Sequence, residues 1–406
     1  MTGKAQTLLL TTLAALTLSS ALTSLASAED FDMSGYVEPE LRLFTANASQ
    51  QRQRDVDASI AGEATIKYFW DKDHQSLVVT PFARLATRDN HRNHWDLREA
   101  RYGLVMGDWE LRAGIDKVFW GVTEAVHLVD VINQTDLIED PIKQEVKLGQ
   151  TMLRLRTTQA FGTFDAFLLP GFRELDYQGA DGRPATNIPV DQTLTTYESS
   201  KGARHVDWAA RYAASLGLVD LGLGYFDGTS RTPYLQPVLS GAGDLVLAPY
   251  YAQMRQLSLD LQATDGAWLY KFEGFARREG GDTYEAATGG IEYTFYGIAG
   301  GPSDLGLVVE YALDTRGLNP TNPYQNDVFL ALRWSANDEA TTSMLGGVDV
   351  DAETGARAFR FRGERRFGAD YRLGIEAYVF QNVPLRDPVS NIADDDYIQI
   401  RLARYF

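Results

Sequence analysis

Alternation of apolar and polar residues is the main pattern of this chain, and it recurs from residue 33 to the last residue. In 305–314, apolar side chains at every second position alternate with positions that include Glu310 and Asp314. The same period of two occurs in 37–43, 206–212 and 371–379. This period places alternate side chains on opposite faces of a β-strand. The segments are about 9–14 residues long, as a tilted strand that crosses a membrane requires, whereas strands in soluble proteins average about 5–6 residues.

The alternating segments number about eighteen, an even number as in bacterial single-chain membrane barrels. Sixteen is the alternative if one hairpin is miscounted. The segments are joined by short Gly/Asp-containing turns, at 107–108, 161–163, 218 and 368–370, and by longer polar connections, at 121–148, 174–204, 228–247 and 382–394. We therefore predict an all-β fold, a single transmembrane antiparallel β-barrel of about 18 strands with short periplasmic turns and longer extracellular loops.

The first 28 residues have the features of a secretory signal peptide. Lys4 is followed by an apolar core at 8–18 and by the small-residue pattern Ala26-Ser27-Ala28. The core is too short for a membrane-spanning helix, which needs about 20 apolar residues. A buried N-terminal helix is the alternative. We predict that 1–28 is cleaved, that 29–406 forms one barrel domain, and that the protein resides in a bacterial (Gram-negative) outer membrane.

The last segment, 396–406, is a strand pattern that ends on Phe406. Ile398, Ile400 and Leu402 share one face, and the other carries Gln399 and Arg401. This ending resembles the terminal strand that the barrel-assembly machinery of Gram-negative outer membranes recognises. The resemblance implies that machinery as a partner, acting on the strand that ends in Phe406. Outer-membrane lipid and lipopolysaccharide are the other expected partners.

Composition narrows the classes of partner and of stabilising chemistry. The formal net charge is −17, which argues against a nucleic-acid partner because phosphate binding needs a basic face. The chain has no cysteine, so no disulfide framework stabilises it. Tyr, Phe and Trp number 20, 19 and 7, a content typical of barrels with aromatic girdles at both membrane interfaces.

Charged residues at the polar positions of the alternation are expected to line a water-filled lumen. Facing basic and acidic side chains would create a field across the pore that orients solutes. The alternative is that these charges pair with one another and only brace the wall. Two pairs, Arg154 with Arg156 and Arg360 with Arg362, are the candidates for an anion-attracting wall. The predicted lumen residues are Arg98, Arg112, Asp116, Arg154, Arg156, Arg211, Lys271, Glu273, Glu292, Glu310, Arg333, Arg360, Arg362, Arg372 and Glu376.

One segment carries a more specific resemblance. Leu111-Arg112-Ala113-Gly114, followed by Trp120-Gly121 and by a long loop with Asn133-Gln134-Thr135-Asp136, resembles a motif of large proteobacterial barrels of the porin superfamily. Those proteins often carry Arg-Gln where this chain has Ile115-Asp116. The resemblance implies that loop 121–148 folds inward and narrows the lumen. An ordinary extracellular loop is the alternative.

Catalytic and cofactor motifs are not evident, so we expect neither an enzyme nor a cofactor. No Gly-x-Ser-x-Gly elbow accompanies the five histidines. His91 and His94, with Asp89 and Asp96, have spacing that could bind a metal in a surface loop, but such spacing is weak evidence and no metal site is predicted.

The pattern as a whole favours a porin-like channel for diffusion of small hydrophilic solutes, anionic ones included, through a charge-lined lumen. Two other functions remain open on the sequence. One is a gated exporter of an acidic polysaccharide, as in alginate-export-type barrels, which inward-facing arginines would suit. The other is a structural or adhesive barrel plugged by its loops.

Overall fold

The structure is a computed structural model that describes residues 30–46, 53–317, 321 and 323–406. The predicted signal peptide, 1–28, lies outside the described residues. Strands occupy most of the described chain, and its helices are short 3₁₀ turns of three or four residues. Within the described residues, no helix is long and apolar enough to cross a membrane.

The described residues form strands of very unequal length, the longest being β2 with 15 residues. The strands are β1 (Phe31–Phe44), β2 (Val56–Trp70), β3 (Gln75–Ala86), β4 (His94–Met106), β5 (Trp109–Asp116), β6 (Gln150–Gln159), β7 (Gly162–Pro170), β8 (Thr196–Tyr197), β9 (Val206–Leu216), β10 (Val219–Thr229), β11 (Tyr234–Leu239), β12 (Leu245–Tyr251), β13 (Gln253–Asp265), β14 (Trp268–Glu279), β15 (Asp282–Phe295), β16 (Asp304–Asp314), β17 (Asn326–Ser335), β18 (Ser343–Asp351), β19 (Arg357–Phe367), β20 (Tyr371–Gln381) and β21 (Tyr397–Tyr405).

Eighteen of these strands form one closed antiparallel sheet, and β8, β11 and β12 form a separate small sheet. Each barrel strand pairs with its neighbours in chain order, and β21 pairs with β1 to close the ring. In this closing pair Leu41 lies opposite Ile400, and Gly35 and Phe406 exchange backbone hydrogen bonds. Closure leaves no unpaired edge in the barrel. The predicted all-β, 18-stranded barrel is confirmed.

The two faces of the barrel wall differ as the alternation predicted. On β16, Leu307, Tyr311 and Leu313 are exposed on the outer face, whereas Glu310 and Asp314 are buried on the inner face. The same division recurs around the ring, with large apolar side chains exposed outward on nearly every strand. An outward apolar band and an inward polar face are the arrangement that a hydrocarbon environment around the barrel requires.

The connections differ at the two ends of the barrel, here named the turn end and the loop end. The turn end has connections of two to eight residues at 71–74, 107–108, 160–161, 217–218, 266–267, 296–303, 336–342 and 368–370. The loop end carries the longest connections, at 117–149, 171–205, 230–252 and 382–396. The predicted turns at 107–108, 161–163, 218 and 368–370 therefore all lie at one end.

Two predictions of local structure were wrong. The alternation was read as a strand to Trp120, but β5 ends at Asp116 because the following residues turn into the barrel. The connections 174–204 and 228–247 were read as loops without strands. The first contains β8, and the second contains β11 and the start of β12; the pairing of these strands satisfies backbone groups away from the barrel ladder.

Candidate functional site

The segment 117–149, here called the inward loop, lies inside the barrel. It leaves β5, yet its backbone is hydrogen-bonded to Glu273 on β14 and Glu310 on β16, and its Glu139 is paired with Arg84 on β3. In the ring of eighteen strands, β3 and β14 lie on nearly opposite sides. A segment that contacts inward side chains of both must cross the interior. The structure thus places the loop that the sequence motif pointed to within the lumen.

Glu273 is the main anchor of the first half of the inward loop. Its side chain is fully buried, and its two carboxylate oxygens accept hydrogen bonds from four backbone N–H groups. Oε1 accepts from Val122 at 2.7 Å and from Thr123 at 3.0 Å, and Oε2 accepts from Leu128 at 2.7 Å. Hydrogen bonds to a charged acceptor are among the stronger ones in proteins. One carboxylate therefore holds both sides of the bend at 122–129.

Glu310 is a second anchor, next to the first on the wall. Its carboxylate accepts hydrogen bonds from the backbone N–H groups of Glu124 at 2.9 Å and Ala125 at 2.8 Å. The side chain of Glu124 in turn pairs with Arg333 on β17 at 2.6 Å. Four consecutive loop residues, 122–125, and two acidic anchors thus fix the tip of the inward loop against β14–β17.

The second half of the inward loop is held by four arginines, here called the arginine wall. Arg84 Nε and Nη2 donate to the two carboxylate oxygens of Glu139 at 2.7 and 2.8 Å. Arg98 lies 3.7 Å from the same carboxylate, Arg42 donates to the backbone carbonyl of Glu139, and Arg92 donates to that of Ile138. Burial would raise the pKa of Glu139, but Arg84, Arg98 and Arg92 outweigh it and hold this pKa below its usual range.

The arginine wall is largely compensated by acidic side chains of the barrel. Glu40 lies within 3.4 Å of Arg42, Arg84 and Arg92. Asp57 pairs with Arg92 at 3.0 Å, and Glu63 pairs with Arg98 at 2.7 Å. Arg98 is among the predicted lumen residues, whereas Arg84 and Arg92 are not. The two-residue alternation of β3 could have identified Arg84 as an inward residue, because it precedes the outward Leu85. Arg92 lies in a connection, where no strand alternation indicates the face of a residue.

The inward loop also has its own internal framework. The side chain of Asn133 accepts a hydrogen bond from the backbone N–H of Val118 and donates hydrogen bonds to the backbone carbonyls of Asp116 and Leu148. One side chain therefore joins the two ends of the loop.

The apolar side chains of the inward loop pack against an apolar part of the inner wall. This cluster contains Val118, Trp120, Val129, Val131 and Ile132 of the loop and Met152, Phe167, Leu169, Ala209, Phe226 and Met254 of the wall. Burial of each large side chain contributes about 1.5–3 kcal/mol to the stability of this packing.

Two glycines of the recognised motif have structural roles in this arrangement. Gly114 has φ of +131° and Gly121 has φ of +136°, a region that other residues rarely adopt. A Cβ atom on Gly121 would lie 2.9 Å from Oε1 of Glu273 and 2.8 Å from Nδ1 of His127. The absence of a side chain at Gly121 therefore allows the loop backbone to approach its acidic anchor.

The predicted lumen residues all lie on strands at inward positions, and all have polar partners. Glu273 and Glu310 bind the inward loop, as described above. The others form ion pairs: Arg98 with Glu63, Arg112 with Glu110, Asp116 with Arg101, Arg154 and Arg156 with Asp165, Arg211 with Asp260, Lys271 with Glu292, Glu292 with Arg333, Arg360 with Asp349, Arg372 with Glu364, and Glu376 with Arg362. These charges are thus braced by partners rather than isolated.

Surplus positive charge occurs where several cations share one carboxylate. Arg154 and Arg156 share Asp165, at 2.7 and 2.9 Å. Glu376 is paired with Arg362 at 3.8 Å and also with Lys143 of the inward loop and with Arg401 of β21. Lys143 lies 3.9 Å from Asp140 as well, so this group has three cations and two carboxylates. By contrast, Arg360 has Asp349 as its own partner. The Glu376 group was not anticipated in full, because Lys143 lies on the loop.

His127 links the inward loop to its anchor through charge. Its ring nitrogens lie 3.6 Å from Glu273 and 4.0 Å from Glu145. Burial alone would lower the pKa of His127, but the two carboxylates outweigh it and raise this pKa to about 9. The imidazolium form is therefore the form that the folded loop favours at neutral pH.

Alkaline pH is consequently expected to destabilise the anchored loop. Because the pKa of His127 is higher in the folded state (about 9) than its ordinary value of 6.5, its contribution is complete below pH 6.5 and is lost as pH rises through 9. The free energy of unfolding should fall by up to about 3 kcal/mol over that window. Urea unfolding at a series of pH values measures this fall in the free energy of unfolding. His127→Gln should remove this part of the pH dependence. His74→Gln, at an exposed turn, is the control and should retain it. The same dependence of unfolding free energy on pH in the wild type and in His127→Gln would contradict the role of His127.

The histidine and aspartate group singled out from the sequence does not converge on a metal site. Asp89 accepts backbone hydrogen bonds from His91 and Gly179, and Asp96 pairs with Arg173, 3.0 Å away. His94 lies 3.7 Å from Glu139. Among the residues that the structure describes, no group of three or more His, Cys, Asp or Glu side chains is arranged to hold a metal ion.

Comparison with known proteins gives matches of architecture only. No family model and no curated protein matches this chain. OmpT, an outer membrane protein of Vibrio cholerae in trimer form, is 11% identical, with 93% of this chain and 99% of that chain covered and a TM-score of 0.44. A triple mutant of the Rhodopseudomonas blastica porin is also 11% identical, with coverages of 93% and 100% and a TM-score of 0.44. Similarity at this level establishes neither a family nor a function for this chain.

Proposed function

We propose that this protein is a porin-like channel of a bacterial outer membrane through which small hydrophilic solutes diffuse. The observation that carries the proposal is the inward loop, which is fixed to opposite walls of a closed 18-stranded barrel and leaves charged side chains on the inner face. A barrel of this strand number is wide enough for an aqueous lumen, and a folded loop within it would set the width of the passage.

A preference for anionic solutes is the finer part of the proposal. It is supported by the groups in which cations outnumber carboxylates, namely Arg154 and Arg156 with Asp165, and Lys143, Arg362 and Arg401 with Glu376 and Asp140. Fixed charge of one sign in a narrow, weakly screened passage raises the local concentration of the opposite ion.

The location and assembly partners are part of the same proposal. The outward apolar band suits a lipid bilayer, with lipopolysaccharide in contact with the loop end. The strand that ends at Phe406 closes the ring against β1, so it is the natural element for the barrel-assembly machinery to engage. Export would proceed through cleavage of 1–28.

A barrel closed by its own loop, either as a gated exporter or as a structural barrel, is the second candidate. It is favoured by the number and strength of the contacts that hold the inward loop, with Glu273, Glu310 and Glu139 each making several. The two candidates differ in one property, because only the first conducts ions without a signal that displaces the loop.

Single-channel recording of the refolded protein without residues 1–28 in a planar bilayer tests the proposal. Stable open steps are expected. Combined Arg154→Ala and Arg156→Ala should shift the reversal potential in a salt gradient towards cation selectivity, because Asp165 is then left without its partners. Arg255→Ala, at a side chain that is 68% exposed, is the matched control and should change nothing.

Two other outcomes of the single-channel recording would change the proposal. Silence from a protein shown to be folded would exclude free diffusion and favour the loop-closed barrel. Open steps whose selectivity does not respond to the Arg154 and Arg156 substitutions would keep the channel but exclude this arginine pair from the solute path.

A further inference from the structure

A cavity of about 250 Å³ lies at the loop end, between the inward loop and the ends of β17–β20. Leu137, Pro141 and Ile142 of the inward loop form one side of it. Tyr378 and Phe380 of β20 contribute aromatic rings to the other side. These rings and apolar side chains provide the kind of lining that is usual for small-molecule sites.

Carboxylates outnumber cations in the lining of this cavity. Its acidic side chains are Asp327, Asp349, Asp351 and Asp387, and its basic side chains are Arg357 and Arg360. Arg360 is already committed to Asp349, since its Nε and Nη2 donate to Oδ2 of that residue at 3.1 and 2.7 Å. The loop-end cavity therefore has the opposite charge surplus to the group around Glu376 deeper in the interior.

Asp349 has a buried oxygen without a partner. Its side chain is only 8% exposed, and both hydrogen bonds from Arg360 go to Oδ2. In the described part of the chain, Oδ1 has no hydrogen-bond donor. A buried acceptor left unsatisfied costs free energy, and Asp349 is one of the residues that line the cavity.

The neighbouring Asp351 differs from Asp349 in its hydrogen bonds. Asp351 accepts hydrogen bonds from the backbone N–H groups of Glu353 and Thr354 through Oδ1 and from the side chain of Gln325 through Oδ2. Both of its oxygens are satisfied within the chain. Asp349 Oδ1, by contrast, has no donor within the described residues.

We propose that the loop-end cavity binds a small primary amine with an apolar body, whose ammonium group donates a hydrogen bond to Oδ1 of Asp349. The negative surplus of the lining attracts the cation, and the rings of Tyr378 and Phe380 offer faces that favour both the apolar body and the positive charge. The cavity volume restricts the ligand to a small molecule. The role of this site as a binding station at the mouth of a channel rests on the proposed function, but the binding itself does not.

Isothermal titration calorimetry of the folded protein in detergent tests the site with benzylamine as the probe. Benzyl alcohol and benzoate have the same ring with neutral and negative groups, so benzylamine should bind at least about tenfold more tightly than either. Asp349→Asn should weaken benzylamine binding about tenfold or more, since it removes the charge but retains an acceptor for Arg360. Ala358→Phe, which fills the cavity from β19, should abolish binding.

Two further variants serve as a control and as a substitute in the benzylamine experiment. Asp282→Asn, at an exposed carboxylate on the loop end outside the cavity, should leave the affinity unchanged. If Asp349→Asn does not fold, Asp327→Asn removes a second lining charge and should also weaken binding.

The failure of this proposal and that of the channel proposal give different results. Equal affinity for benzylamine and benzoate, or unchanged affinity in a folded Asp349→Asn protein, would overturn the amine site even if the barrel conducts. A protein that binds benzylamine through Asp349 yet shows no conductance would overturn the channel proposal and leave the site in place.

Discussion

Replacement of both Glu273 and Glu310 by alanine is expected to raise the single-channel conductance severalfold and to make the current noisy. These two carboxylates accept the backbone hydrogen bonds of Val122, Thr123, Glu124, Ala125 and Leu128. Hydrogen bonds to charged groups contribute about 1.5–3 kcal/mol each. Without them, buried N–H groups lose their partners, and the loop tip should leave the wall.

The control for this prediction is Glu110→Gln. Glu110 is an inward acidic residue whose ion-pair partner, Arg112 at 2.6 Å, lies on the same strand and not on the inward loop. Its substitution removes a comparable charge without touching the anchors, so conductance should change little. If the Glu273 and Glu310 double variant folds and conducts like the wild type, the inward loop does not limit the passage.

The same variant also separates the two candidate functions. A wild-type protein that is silent but becomes conductive when the anchors are removed would be a loop-closed barrel. A wild-type protein that conducts already, and conducts more in the variant, would be a channel whose loop sets its width.

The barrel could be predicted from the sequence because a period of two is a local property. Each predicted strand overlaps an observed one, and the turns at 107–108 and 368–370 lie where polar residues and glycine interrupt the alternation. Strand pairing between neighbours in the chain then follows, because short turns join antiparallel strands. The pairings across 117–149, 171–205 and 230–252 and the closure between β21 and β1 span longer separations in the chain. An even strand number allows the antiparallel closure.

The site was less predictable because the alternation along a strand indicates which face a residue is on, but not what lies against that face. Glu273 and Glu310 were placed in the lumen, and they do face inward, yet they bind loop backbone rather than line open water. The reading of 117–120 as strand failed for a related reason. Val118 and Trp120 alternate as in a strand, but their apolar side chains are buried in the interior cluster.

Breaking the pair between Arg84 and Glu139 is expected to cause the largest loss of stability of any single substitution in the arginine wall. The side chains of Arg84 and Glu139 are 4% and 7% exposed and are joined by two hydrogen bonds. Removal of one partner of a buried pair costs about 3–5 kcal/mol. After Arg84→Met, the carboxylate of Glu139 would retain longer contacts of 3.7 Å to Arg98 and His94, which stabilise its charge less than two direct hydrogen bonds do. Arg84→Met should therefore lower the free energy of unfolding by that amount in urea titrations of the folded barrel.

A double-mutant cycle isolates the interaction from other effects of the substitutions. Glu139→Leu combined with Arg84→Met removes both charges, so the double variant should be destabilised by much less than the sum of the two single variants. Lys67→Met, which breaks the exposed pair with Asp32, should cost less than about 1 kcal/mol. Additive effects of Arg84→Met and Glu139→Leu would mean that the pair does not hold the second half of the inward loop, since independent sites add whereas paired ones do not.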